Sequence, residues 1–544
     1  MKKIATLVLC CTAALCAWAV PARREGRLVT QADGTEIMVY NHGDESFHWQ
    51  TNENGEWIEQ GEDGNYTTVP ALSEEQIQVR RAKGRRLPQQ TMQAYPTNIA
   101  PRGLIILVNF KDKAFVTDKA EIEDMINGEN YTRKYSYTYR KSLFQTETVN
   151  VESQGSARQY FHDVSFGQYN PQFDIVGPVT VSKAYSYYGK NKANGYDAHP
   201  EEMVKEACQL AYSQYNVDFS LYDNNSDNTV DFVYILYAGY GEADSELANT
   251  IWPHSYSLSE AEGGTSSLTV GGKKIDKYAC SNEISYLSKQ HDGIGTFCHE
   301  FSHVLGLPDL YNTQNSSAKT LGDWDILDYG CYNNDGNTPC AFSGYERFFC
   351  GWAKPEVLVD SAYYSLKELN SSNTVLLISA TDRHNLIGND PNPATFYLLE
   401  NRQQEGWDKY LQGHGLMLTK IQYSYLTWYN NMVNNTSTKL GVDIIEATPN
   451  TSENAATDLF PTGATSYTGI ADHSITDIKE ENGIIYFSYK GGTEPRETAI
   501  ENIAEDEQVL GIYTLTGKSL PVNSELPHGV YIVRTNKGSH KIVR

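Results

Sequence analysis

The stretch TFCHEFSHVLGLPDLY, Thr296 to Tyr311, sets two histidines four residues apart with a glutamate beside the first. Positions i and i+4 share one face of an α-helix, so His299 and His303 can aim both imidazoles at one metal ion. Glu300 adjoins the first of them, where a carboxylate can take the proton of a zinc-activated water as that water attacks a carbonyl. Gly306 follows, and a glycine there can end the helix with positive φ. Pro308 then keeps the chain extended, so that Asp309 can return to the metal as a third ligand. Phe297, Phe301, Val304 and Leu305 give the same helix a side for the core. An HExxH arises by accident in roughly one such chain in fifty, and requiring the glycine and aspartate lowers that by about two orders of magnitude. Glu346, in SGYERFFCGW, and His254 and His414 are chemically competent alternatives for the third ligand. Cys298 beside His299 does not make a nucleophile–base pair, because adjacent residues on a helix diverge.

The surroundings are those of an exported, multi-domain chain. Its 544 residues exceed what one core usually organises. Hydrophobic residues make up 40% and charged residues 21%, a globular composition. A formal charge of −24 with no sizeable basic block excludes a nucleic-acid binder. The N-terminus, MKKIATLVLCCTAALCAWAVP, has a two-lysine basic region, an apolar run from Ile4 to Trp18 and a small-x-small site ending at Ala19. That is a signal peptide over residues 1–19, too short for a membrane span. No later run is long and apolar enough to span, so a soluble mature chain is expected. Six cysteines follow the leader, which permits disulfides in an exported protein. Cys331 with Cys340 is the first pairing to expect, and small buried apolar residues are the equal alternative.

YDNNSDNTVDF holds a second constellation. Asp223, Asn225, Asp227 and Asp231 offer oxygens at alternating positions and Thr229 can add its carbonyl, as in a calcium loop. A polar loop of Asx-turns is the other reading.

With these residues in place, HEFSHVLGLPD resembles the HExxHxxGxx(H/D) signature of metzincin zinc peptidases. The wider set NHGDESFHW, GLIILVNFKD, YDNNSDNTVDFVYILYAGYGEAD, NTIWPH, GDWDILDYGCYNNDGNTP, SGYERFFCGW and YLLENRQQEGWDKYLQGHG resembles the immune inhibitor A-like (M6) secreted metallopeptidases. The resemblance implies His299, His303 and Asp309 as zinc ligands and Glu300 as general base. It also implies that DILDYG is the Met-turn, with Leu327 at the methionine position and Tyr329 placed to approach the metal or the oxyanion. The implied fold class is α+β, a metzincin-like zinc peptidase domain with an N-terminal propeptide and C-terminal β-rich domains.

The expected organisation is a propeptide over 20–100, a catalytic domain over 101–365, a β-rich domain over 366–490, a linker over 491–499 and a small β-domain over 500–544. The last segment, ending GVYIVRTNKGSHKIVR, resembles the sorting domains of type IX secretion in Bacteroidetes. The chain is therefore expected to be a zinc endopeptidase acting on proteins, with Zn2+ and Ca2+ as cofactors, secreted or at the surface of a Gram-negative bacterium. The rival from another class is a catalytically silent, calcium-stabilised surface or adhesion protein on the same fold. A propeptide must guard the zinc, and no cysteine lies between Val20 and Ala207 to do so. Steric covering, or His42, Asp44, Glu45 or His48, must serve instead, until cleavage near Arg80, Arg81, Arg85 and Arg86.

Overall fold

The computed structural model describes residues 19–543 except 62, 74–75, 78–99, 193–194, 246, 260, 262–266, 316–317, 450–452, 495–506 and 523–528. The expected leader up to Trp18 and the arginines of the linker lie outside the described residues, as does most of the expected linker over 491–499.

RGLIILVN forms a strand, Arg102–Asn109, buried from Gly103 through Val108. A continuous apolar run of this kind fits a strand covered on both faces. It lies inside a five-stranded sheet. Val233–Tyr240 pairs parallel on one side of it and Gln172–Thr180 parallel on the other. Lys277–Ile284 continues the parallel set, and His254–Ser257 closes that edge antiparallel. Side chains alternate along the central strand. Ile105 and Leu107 face the core that holds the helices Ala157–Val164 and Gly295–Val304. Leu104, Ile106 and Val108 face the opposite core, against the helix Pro200–Tyr215. The helix with the two histidines is thus packed on one face of the sheet, through Phe297 and Phe301 against Phe173, Tyr234 and Phe232.

Ahead of this unit, residues 27–68 form a five-stranded antiparallel meander with a small core of its own. After it, two sheets of five and three strands follow between Glu356 and Tyr489. One face of this β-rich region does not stand apart: Phe396, Leu398, Met417 and Trp428 belong to the same buried cluster as the helix Gly295–Val304. Residues 509–543 form a four-stranded antiparallel sheet around Ile512, Tyr531, Val533 and Ile542. The architecture is mixed α and β, and no helix among the described residues is long and apolar enough to cross a membrane.

The pairing of Cys331 with Cys340 is corrected by the structure. All six cysteines are free and buried, Cys331 and Cys340 both at 0% exposure. They act as small apolar core residues.

Candidate metal centre and the segment that covers it

The helix Gly295–Val304 carries His299 and His303 on one buried face, their rings 4.8 Å apart and perpendicular. It starts where Gly295 touches the chain at Cys331: a Cβ there would lie 1.8 Å from the Cys331 carbonyl oxygen, so only glycine fits. It ends at Gly306, whose φ of +93° reverses the chain. The reversal returns Asp309, fully buried, to the histidines: its Oδ1 is 3.1 Å from His299 Nε2 and 3.3 Å from His303 Nε2.

These three residues suit a cation. His299 Nδ1 donates to the Ile326 carbonyl at 2.7 Å, and His303 Nδ1 to the Leu307 carbonyl at 2.8 Å. With the proton held on Nδ1, each Nε2 presents a lone pair inward. Two ligand atoms on a tetrahedral zinc lie about 3.3 Å apart, which matches the two Asp309 separations of 3.1 and 3.3 Å. Burial alone would raise the Asp309 carboxyl, but His303 and His299 hold it down at about 2. Among the described residues this is the one group of three His, Cys, Asp or Glu side chains close enough to share a metal ion.

Asp309 is itself held by a residue that no motif singles out. Asn431 Oδ1 accepts from the Asp309 amide at 2.7 Å, and Asn431 Nδ2 donates to Asp309 Oδ2 at 2.5 Å. Asn431 comes from the β-rich region. The stretch YNNMVNN has no spacing that marks it as functional, so only the fold reveals it.

Glu300 lies on the same helix, fully buried. Burial first, and then the charge of Asp309, pushes its carboxyl well above the usual range. Its Oε1 accepts the backbone amide of Val20 at 3.0 Å, and its Oε2 has no hydrogen-bond partner among the described residues.

That amide belongs to an extended segment, Ala19 to Arg24, laid across the site. Tyr311 Oη donates to the Ala19 carbonyl at 2.6 Å, Trp252 Nε1 to the Val20 carbonyl at 3.0 Å and Tyr332 Oη to the Pro21 carbonyl at 2.7 Å. The amides of Ala22 and Arg23 donate to the carbonyls of Gly43 and Ala243, both at 2.9 Å. Pro21 has no amide hydrogen, so every backbone polar group from the Ala19 carbonyl to the Arg23 amide is accounted for except the Ala22 carbonyl.

The other candidates have partners of their own. The turn of Ile326 and Leu327 lies beside the histidines, through the Ile326 carbonyl. Tyr329 is buried beneath Arg24, the guanidinium 3.5 Å from its ring centre, and burial raises its phenol to about 12. Glu346 caps its own helix, its Oε2 accepting the Ser343 amide at 2.6 Å. His254 bonds to the Trp252 carbonyl and the Tyr278 hydroxyl. His414 pairs with Glu480 on the surface. None of these three joins the Asp309 cluster.

In the Asp223–Asp231 loop, Asp223 Oδ2 receives Lys273 Nζ at 2.6 Å, and Asp231 Oδ2 accepts from the amide and side chain of Asn224. Asp227 and Asn225 bond within the loop, Asp227 Oδ1 accepting the Thr229 amide. A lysine ammonium and the loop's own amides engage the oxygens proposed for calcium. In the N-terminal meander, His42 bonds Thr51, Asp44 caps the turn at Ser46 and Phe47, and His48 pairs with Glu242. Glu45 is buried in the same turn. The covering of the site is made by residues 19–24, not by these side chains.

Residues 95–352 match the immune inhibitor A peptidase M6 catalytic domain. The chain is 25% identical over 277 residues to immune inhibitor A of Bacillus thuringiensis subsp. alesti, covering 45% of this chain and 39% of that one. It is 27% identical over 315 residues to the pre-pro-metalloprotease PrtV of Vibrio cholerae serotype O1, covering 52% and 33%. It thus spans about two fifths or less of the length of these relatives. His299, Glu300, His303 and Asp309 lie inside the matched region, and that match together with the names of these relatives supports a metallopeptidase similar to the immune inhibitor A peptidases of the M6 type.

Proposed function

We propose that the chain is a secreted zinc endopeptidase in a latent form, with its own N-terminal segment lying in the cleft. The observation that carries this is the convergence of His299, His303 and Asp309 beside Glu300, with an extended peptide already bonded to that glutamate. When bound, zinc supplies Lewis acidity to a carbonyl and to water. His299, His303 and Asp309 would hold it. Glu300 takes a proton from the attacking water at Oε1 or Oε2 and returns it to the leaving nitrogen. The Tyr311 and Tyr332 hydroxyls, the Trp252 indole N–H and the Ala243 carbonyl, which bind Ala19 to Arg23, are the groups that would grip the backbone of a substrate.

Latency follows from the same contacts. While the Val20 amide occupies Glu300, the base is engaged and the cleft is filled. The word pro in the name of the Vibrio relative supports a removable segment. Export through the N-terminal leader, and a sorting role for residues 500–544, complete the reading. Removal of the leader after Ala19 turns the Val20 nitrogen into a terminal amine beside Glu300 and gives up the Ala19 contact, while the contacts of Val20 to Arg23 remain. The intact donor set favours an enzyme over a silent adhesion protein. The test is to purify the full chain, treat it with a second protease that cuts the basic linker, and measure cleavage of a denatured protein. Activity should appear on cutting, vanish with a zinc chelator and return with zinc. Activity insensitive to chelation would refute the metal reading, and full activity before cutting would refute latency.

A further inference from the structure

Ala19, Val20 and Ala22 are buried among apolar neighbours, and of the two arginines in the segment over the cleft, Arg23 is the buried one. Its Nη1 is 2.6 Å from Asp335 Oδ1, with the two side chains only 3% and 1% exposed. The Tyr332 ring lies under the guanidinium at 5.0 Å. The Asp335 carboxylate is fixed from its other side by Tyr135 Oη, 2.9 Å from Oδ2. Burial alone would weaken the arginine's charge, but Asp335, then Asp244, Glu25 and Asp292, more than offset it. Arg24 differs: its partner Asp323 is 3.3 Å away and both side chains are well exposed.

We infer that the pocket now filled by Arg23 is a substrate subsite of the activated enzyme, selecting an arginine or lysine side chain three residues beyond the residue seated at Glu300, on the C-terminal side of the scissile bond. This inference rests on the peptidase reading above. The backbone grips on Ala19, Val20 and Pro21 come from Tyr311, Trp252 and Tyr332, and would hold almost any sequence. Val20, Pro21 and Ala22 offer apolar side chains without charge. Selectivity for a charged side chain along this track therefore resides at Arg23. The walls named here, Tyr135, Asp244, Asp292, Tyr332 and Asp335, all lie in the catalytic region, so they stay when the segment leaves. Departure of Arg23 strips a buried carboxylate of its counter-ion, an arrangement that costs much unless another cation enters. Arginine is the better occupant, because Tyr332 adds a ring face to the carboxylate.

The test uses the full chain activated by cutting its linker. Two peptide substrates differ only at the fourth residue after the scissile bond, arginine in one and norleucine in the other. Breaking a buried charge pair costs enough that kcat/KM should favour arginine by about 30-fold or more. The preference should fade when the arginine is moved one residue either way, a comparison that needs no variant. In Asp335→Asn the ratio should collapse towards one. An activated enzyme that cleaves both peptides equally, or an unchanged ratio in Asp335→Asn, overturns the subsite. An activated chain that cleaves neither these peptides nor a denatured protein overturns the peptidase reading, and the subsite with it.

Discussion

Replacing Asn431 with alanine removes two grips on Asp309 from outside the helix of the two histidines. The bond from Asn431 Nδ2 to Asp309 Oδ2 is 2.5 Å and ends on a charged oxygen, so its loss costs about 1.5–3 kcal/mol. The bond from the Asp309 amide to Asn431 Oδ1 is 2.7 Å; losing it strands a buried donor, which costs about 1–3 kcal/mol more. Part of that sum falls on folding and part on the metal. Partners that orient a ligand are worth about 10–100-fold in metal affinity, and Asn431→Ala is expected to weaken zinc binding by that factor. The assay is competition for zinc against a chromophoric chelator, with melting temperature recorded separately. Asn434→Ala is the control. Asn434 holds the Leu310 carbonyl and the Val442 amide, so it should lower the melting temperature with a smaller effect on zinc. Zinc affinity within about twofold of the parent in Asn431→Ala would refute the claim that the β-rich region shapes the site.

Arg23→Ala should loosen the covering segment and give the uncut chain measurable peptidase activity, since it breaks the buried pair with Asp335; an uncut variant as silent as the parent would show that the backbone bonds suffice. Burial raises the Asp292 carboxyl from the usual range to about 7, against the pull of Arg23. An acid raised in the folded state contributes stability below its unfolded pKa of about 4, lost as pH rises to 7. Asp292→Asn should therefore melt progressively higher than the parent between those pH values, and a constant difference would contradict the linkage. Calcium should leave the melting temperature unchanged, because Lys273 already sits on Asp223; a calcium-dependent rise that Asp227→Ala abolishes would restore the calcium reading.

Much of the site could be read before any coordinates. The i, i+4 histidines, the glycine that reverses the chain and the aspartate after it are local in sequence, and a helix with a stop places them almost unaided. The central strand was legible as an apolar run, and Pro200–Tyr215 as an amphipathic helix with acids in its first turn. What the sequence hid was long-range. Asn431 reaches Asp309 across 122 positions, and Val20 reaches Glu300 across 280. Nothing in YNNMVNN or VPARREG announces a partner so far away. The cysteine spacing misled for the same reason: Cys331 and Cys340 are close in the chain, yet burial rather than bonding explains them. The acidic loop is ambiguous in composition, since oxygens at alternating positions suit a cation and also serve as acceptors for the loop's own amides and for a lysine.

The most direct test of the account is Glu300→Gln in the linker-cut chain, with zinc content and peptidase activity measured on the same sample. Glu300 stands beside the three donors without being one of them. The variant should keep its zinc and lose catalysis by at least about 100-fold, the usual contribution of a general base. A zinc-loaded variant that still turns over at the parent rate would contradict the role assigned to Glu300, and with it the proposed chemistry.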